Sequence, residues 1–315
     1  MEMHADDDFS VAFEYASGAT ARRFQNPLWY ITELVFGSQL RRSLESVRSF
    51  GRSIVASAQK DSKRERDTVD SSANPADAIS GSLIQSLLES IGDEKTVADA
   101  ALNYLSAGRD TTAQALTWAF YLLMRHRYVT GQVRKEVREA LVNADMDTVP
   151  DRIDSTLFTP VSMPYTMAVF YETLRLYPPV PFEFKQAEQA TTLPDGTLLP
   201  KSSVVLWCPW AMNRSKITWG DDADTFRPER WLLDGKVVNR SPSEFPVFNG
   251  GPRTCLGKKM AEAIAVQVIA TVTWTFDFMH QYDGDRVSKT SLTLPMDGGL
   301  PCVLKKRSFA PGSLL

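Results

Sequence analysis

Phe248-Asn249-Gly250-Gly251-Pro252-Arg253-Thr254-Cys255-Leu256-Gly257 sets one cysteine between a glycine-rich loop and an apolar stretch of helical period. Met260, Ile264, Val268 and Val272 recur at one-turn spacing, which predicts a buried helix over Leu256 to Phe276 with Cys255 at its N-terminus. Free N–H groups at such an end favour an anionic sulfur. Gly250 and Gly251 lack Cβ atoms, so the backbone there can lie flat against a large planar ligand, and Pro252 stiffens the approach to the cysteine. Arg253 adds a fork suited to a carboxylate. Taken singly, a lone Cys also reads as a small buried hydrophobe and Gly-Gly-Pro as a turn. Taken together, they point to Cys255 as a metal-ligating thiolate.

Composition narrows the class. The chain has 315 residues, 43% of them hydrophobic, enough for a substantial core in one large domain or two small ones. A net charge of −3 and a sequence pI near 5.8 give no general basic field, which argues against nucleic acid as a partner. Cys208, Cys255 and Cys302 are odd in number, far apart and without a Cys-x-x-Cys pair, against a disulfide framework or a zinc site and in favour of a reducing compartment. The longest uncharged apolar runs, Thr111 to Met124 and Ala263 to Phe276, fall short of the roughly 20 residues of a membrane span. Met1-Glu2-Met3-His4 followed by three aspartates does not resemble a signal peptide.

Along the chain, residues 9 to 58 predict two helices broken at Asn26-Pro27, and the polar run from Lys60 to Ser82 predicts an exposed connection. A third helix, Leu83 to Ile91, stops at Gly92, and Asp93 can cap the next. That next one, about Thr96 to Arg127, is long enough to cross a core. Inside it, Ala107-Gly108-Arg109-Asp110-Thr111-Thr112 places a helix-weakening glycine and polar groups where an apolar helix would not choose them. Thr111 could bond the carbonyl of Ala107 and loosen the backbone ladder, making room for a water or a diatomic ligand; a threonine-rich packing interface fits the pattern as well. Gln132 to Leu141 reads as an amphipathic helix and Asp145 to Pro150 as a loop. Met163 to Tyr177 carries Glu172 and Arg175 three apart on one face, and Pro178-Pro179 ends the helix among apolar neighbours, which suits a paired, buried position. Asp195-Gly196 signals a hairpin turn and Ser203 to Trp207 a strand. Trp219 to Trp231 reads as irregular. Ser291 to Met296 and Pro301 to Lys305, separated by Asp297-Gly298-Gly299, predict a second hairpin.

The cysteine stretch resembles the haem-binding loop Phe-x-x-Gly-x-Arg-x-Cys-x-Gly of the cytochrome P-450 family at every fixed position, through Phe248, Gly251, Arg253, Cys255 and Gly257. Ala107 to Thr112 is similar to the family's oxygen-activation motif Ala-Gly-x-Asp-Thr-Thr, and Glu172-Thr173-Leu174-Arg175 to its Glu-x-x-Arg motif, joined downstream by Pro228-Glu229-Arg230-Trp231. The four motifs stand in the family's order and spacing, and the resemblance covers essentially the whole chain. The resemblance implies a mainly α fold with small β-sheets, and Cys255 as the proximal thiolate of a haem iron, which favours O–O cleavage. It implies that Thr111 bonds iron-bound dioxygen, that Asp110 helps deliver protons, and that Glu172, Arg175 and Arg230 form a buried structural triad bracing the cysteine loop. Lys185 falls where a propionate partner is expected, and Val180, Pro181, Phe182 and Leu294 where substrate is lined. Ala107 stands where one branch of the family carries a glutamate that esterifies the haem.

The resemblance further implies a haem-thiolate monooxygenase with haem b, taking electrons from NADPH through a P-450 reductase and inserting one atom of O2 into a C–H bond of a small apolar substrate. Leu193-Pro194-Asp195-Gly196, Thr218-Trp219-Gly220-Asp221 and Ser291-Leu292-Thr293-Leu294 resemble the fungal and plant branch that hydroxylates fatty acids and alkanes. Residues 1–315 would be the C-terminal portion of such a domain, lacking the anchor, first strands and early helices. Full-length relatives would sit on the endoplasmic reticulum membrane, and a chain without the anchor in the cytoplasm. The alternatives are a haem-thiolate isomerase or dehydratase, against which Asp110 and Thr111 argue, and a catalytically incompetent haem-binding protein.

Overall fold

The computed structural model describes residues 2–23, 25–67, 75–144, 154–289 and 291–308. The chain forms two compact units, Met1–Arg109 with Thr290–Leu292, and Asp110–Lys289 with Thr293–Leu315. The boundary falls inside a helix, between Arg109 and Asp110.

The first unit is helical. α1 (Glu2–Arg22) is followed by α2 (Trp29–Phe36), α3 (Ser38–Asp67), α4 (Pro75–Ile91) and the first half of α5 (Glu94–Arg125). The predicted break at Asn26-Pro27 is present, and Asn26 Oδ1 accepts from the Leu28 N–H at 3.0 Å to shape it. A further break, which the periodicity did not announce, falls at Gly37, whose N–H donates to Glu33 O as α2 ends. The expected connection from Lys60 to Ser82 is instead largely helical, with α3 running to Asp67 and α4 starting at Pro75. Lys, Arg and Glu are good helix formers, so a polar run does not by itself mark a loop, and proline suits a helix's first turn. Residues 68–74 lie outside the described ones, as does the predicted loop Asp145 to Pro150. Gly92, at φ +73°, ends α4, and Asp93 caps α5 by accepting from Thr96 N at 2.9 Å. Val55, Ile84, Val97, Ala98 and Ala101 form this unit's core.

In the second unit α5 continues, burying Ala115, Trp118, Ala119 and Leu122 at helical spacing. It stays α-helical through Ala107 to Thr112. α6 (Arg127–Asn143) buries Val129, Val133, Val137 and Leu141, one per turn, and α7 (Pro164–Leu176) is buried throughout from Thr166 onward. β1 (Glu183–Gln186) leads to the small hairpin of β2 (Thr191–Thr192) and β3 (Leu198–Leu199), turned at Gly196, and then to β4 (Val204–Trp207), antiparallel to β1 with Lys185 opposite Val205. Two short helices follow, α8 (Pro209–Met212) and α9 (Lys216–Trp219), then a 3-10 turn at Pro228–Trp231 and a hairpin of β5 (Leu232–Leu233) and β6 (Lys236–Val237). α10 (Lys258–Thr275) runs into β7 (Phe276–His280), which pairs with β8 (Cys302–Lys306).

Two expectations are corrected here. The buried face of α10 is Ala265, Val266, Ile269, Ala270, Thr273 and Trp274, which faces α6 and α7, while Met260 and Ile264 of the expected stripe are exposed. Both faces are apolar, so periodicity alone did not identify the one that packs. At the C-terminus, residues 302–306 pair with 276–280, and among the described residues the segment 291–296 forms an isolated bridge, Ser288 to Met296, in place of a strand. Among the described residues no helix is long and apolar enough to cross a membrane.

Candidate functional site: the Cys255 loop

The loop reaches Cys255 through two tight steps. Pro246–Phe248 is a 3-10 turn, Asn249 lies at φ +57°, and Gly251–Arg253 forms a second 3-10 turn with Gly251 at φ +62°. The Cys255 N–H donates back to Phe248 O at 2.8 Å, closing the loop on itself, and α10 begins three residues on. The thiol is exposed and free, whereas Cys208 and Cys302 are half-buried. Space beside Gly251 is open, since a Cβ there would meet nothing within 4 Å. Arg253 is exposed and makes no hydrogen bond or ion pair among the described residues.

Two contacts hold this loop from outside, and neither carries a signal in the sequence. Asn249 Nδ2 donates to both carboxylate oxygens of Glu183, at 3.0 and 2.9 Å, tying the loop to β1 across 66 residues. Phe248 packs near Tyr171 of α7, ring centroids 6.5 Å apart, and the Tyr171 hydroxyl donates to Glu262 Oε1 of α10 at 2.5 Å. Burial, and then the bond to Glu262, pushes the Tyr171 phenol well above its ordinary range.

Beside Tyr171 lies a charge cluster. Glu172 accepts from Arg175 Nε at 2.9 Å and Nη2 at 2.8 Å, from Arg230 Nε at 2.9 Å, from Trp231 Nε1 at 2.9 Å and from the Arg227 N–H at 2.9 Å. The side chains of Glu172 and Arg175 are fully buried and that of Arg230 is 4% exposed. Arg175 spends its remaining donors on the carbonyls of Asn213, Ala223 and Thr225. Such an arrangement satisfies the carboxylate's lone pairs, the condition under which a buried charge is tolerated. Burial alone would lower the Arg230 guanidinium, but the Glu172 charge and its hydrogen bonds outweigh it and hold Arg230 above its usual value. Glu136 of α6 caps α7 from below, accepting from Tyr165 N at 2.6 Å, Thr166 N at 2.8 Å and Thr166 Oγ1 at 2.7 Å.

The other expected residues are spread more widely. Asp110 and Thr111 lie half-buried on α5, within the unit that carries Cys255, while Ala107 precedes the boundary. Lys185 is exposed on β1, its Nζ 5.5 Å from the Trp207 ring centre. Leu294 is buried and its carbonyl accepts from Trp118 Nε1 at 2.8 Å. Val180 and Pro181 are half-buried, but Phe182 is 60% exposed.

The sequence model described as Cytochrome P450 matches residues 3–302. The chain belongs to the cytochrome P450 family. Among relatives, cytochrome P450 94A1 of Vicia sativa is 34% identical over 313 residues, 95% of this chain and 57% of the relative. Cytochrome P450 86B1 of Arabidopsis thaliana is 33% identical over 315 residues, 96% of this chain and 55% of the relative. Cytochrome P450 704C1 of Pinus taeda reaches 37% over a shorter stretch, 65% of this chain and 41% of the relative. The chain thus spans a little over half the length of most P450 relatives it matches. Haem is the group this family implies, and the loop fits it: an exposed thiol, an open flank at Gly251 and, at Arg253, an exposed cation without a partner among the described residues lie within five residues.

Proposed function

We propose that the chain holds haem b through the Cys255 thiolate and serves a monooxygenase reaction, in which O2, two electrons and two protons convert a C–H bond to C–OH with release of water. Electrons would come from NADPH through a P450 reductase. When bound, the haem would supply the activation of dioxygen. The chain's own residues would do the rest. Cys255 would donate electron density from its sulfur as the iron's protein ligand. Arg253 and Lys185 would offer cations to the propionates. Thr111 and Asp110 would hold and pass protons from α5. Glu172, Arg175 and Arg230 would keep α7 and the 3-10 turn at Pro228–Trp231 rigid beside the loop.

The observation that carries this reading is the exposed Cys255 in a closed loop that meets the family motif at every fixed position, within a chain that belongs to the family. For substrate we propose a long-chain fatty acid or alkane. Support comes from the resemblance of Leu193 to Gly196 and Ser291 to Leu294 to that branch, and from the apolar character of Phe182, Phe184 and Leu294. The test is to load the chain with haem, titrate long-chain fatty acids and compact polycyclic ligands, and follow the spectrum together with hydroxylated product. A saturable type I shift and NADPH-dependent product with the fatty acid are expected. Shifts only with the compact ligands would overturn the substrate class, and product formed without NADPH would favour the isomerase reading.

A further inference from the structure

Tyr171 touches both ends of the segment that presents Cys255. Its ring lies 6.5 Å from Phe248, whose carbonyl accepts the Cys255 N–H, and its hydroxyl donates to Glu262 in the second turn of the helix that the cysteine runs into. The same ring is fixed in place by Phe245 and Trp231, with centroids at 5.7 and 5.1 Å. Glu262 is further tied to Lys258 at 3.8 Å, and the Lys258 ammonium lies 5.3 Å from the Phe248 ring centre, so the contacts return to the loop where they started. The Glu262 side chain is 13% exposed, so its bond to the Tyr171 hydroxyl is shielded from competing water. A hydrogen bond to a charged acceptor is among the stronger ones available to a neutral donor.

We infer that the Tyr171–Glu262 hydrogen bond is a positioning device for Cys255: it locks the first turns of α10 onto α7 and, with Phe248, fixes the entry and exit of the cysteine loop together. Tyr171 directly precedes Glu172 in sequence, so the device also joins the loop to the buried charge cluster through a single peptide bond. The importance of Cys255 rests on the haem-ligand reading proposed above, but the coupling itself does not.

The test therefore begins without haem. In the 315-residue chain, the three thiols are alkylated with iodoacetamide at one fixed pH, and the rates at Cys255, Cys208 and Cys302 are resolved by peptide mass. Tyr171→Phe keeps the ring and deletes the hydroxyl. Loosening of the loop should change the Cys255 rate at least threefold while Cys208 and Cys302 stay within twofold. Glu262→Ala should change it in the same direction by a similar factor, and the double variant should change it no further than either single one. Glu262→Gln, which keeps an acceptor, should restore most of the rate. With haem bound, Tyr171→Phe should speed the decay of the red-shifted carbonmonoxy Soret band. Equal changes at all three thiols, or additive effects of the two substitutions, would mean general loosening and overturn the inference, as would no change at Cys255. If the unsubstituted chain never shows that Soret band, the haem-ligand reading fails while the alkylation result still decides the coupling.

Discussion

Trp231 Nε1 donates to Oε2 of Glu172 at 2.9 Å, so the carboxylate at the centre of the buried cluster is held by an indole as well as by two guanidinium groups. The tryptophan follows directly on Arg230, and one 3-10 turn thereby delivers two donors to a single acceptor. Replacing Trp231 by Phe removes one donor from a buried charge and should cost roughly 1.5–3 kcal/mol. Glu172→Ala strands two arginines and should cost about 3–5 kcal/mol. Urea unfolding of both variants measures the difference, and Glu172→Ala should be the more damaging of the two.

Cys255→Ser should abolish the red-shifted Soret band of the carbonmonoxy ferrous form, whereas Cys208→Ser and Cys302→Ser should retain it. The latter two thiols are half-buried, Cys302 in a strand and Cys208 between a strand and the four-residue α8, and neither follows a glycine loop. Retention of the band in Cys255→Ser would refute the ligand assignment. Because position 107 is alanine, haem should also be extractable by acid solvent.

Much of this arrangement is legible in the sequence, because it is written in local patterns: a loop motif of ten residues, Glu172 and Arg175 three apart, and one apolar residue per turn in α6. The rest depends on partners far away in sequence. Glu183 and Asn249 are 66 residues apart, Tyr171 and Glu262 are 91 apart, and no short window contains either pair. Met260 and Ile264, expected to be buried on α10, are exposed because the helix is apolar on more than one face and packing against α6 and α7 decides between them. Pairing of β8 with β7 across the intervening residues 281–301 is hidden by a nearer Asp-Gly-Gly turn that suggests a shorter hairpin.

Asn249→Ala should loosen the loop by cutting its tie to Glu183 and by forcing a Cβ-bearing residue to keep φ +57° without asparagine's tolerance for it. A faster loss of bound haem on dilution is expected, with Asn249→Asp at least as harmful, since it sets one carboxylate against another. Haem transfer to an excess of apomyoglobin provides the rate.

Thr111→Ala, tested under the proposed reaction, should leave haem and substrate binding intact and divert reducing equivalents to peroxide. The measurement is product and peroxide formed per NADPH consumed; an unchanged product yield would remove Thr111 from the proton path.

Burial holds the Glu136 carboxyl above its ordinary value, with the bonds to Thr166 and Tyr165 only partly opposing it. A carboxyl raised in the folded state favours folding while protonated, and that contribution is lost as pH rises from the unfolded value near 4.5 through the higher folded one. The stability of Glu136→Gln relative to the parent should therefore increase with pH above about 4.5. Urea midpoints of the two proteins between pH 4 and 7 give the slope, and a relative stability that falls over that range would contradict the sign.

The two neighbouring glycines of the cysteine loop have different reasons to be there, and this sets which sequence changes the loop could absorb. Gly251 is held by its backbone angle, with open space around it, so asparagine is the replacement with most prospect of survival. Gly250 is held by a neighbour: an added Cβ would come within 2.8 Å of the Pro242 side chain, although its own backbone is ordinary extended chain. A side chain at 250 thus depends on what stands at 242. Gly250→Ala should be poorly tolerated alone and much better together with Pro242→Gly, so these two positions form a linked pair that variants of this loop must change together.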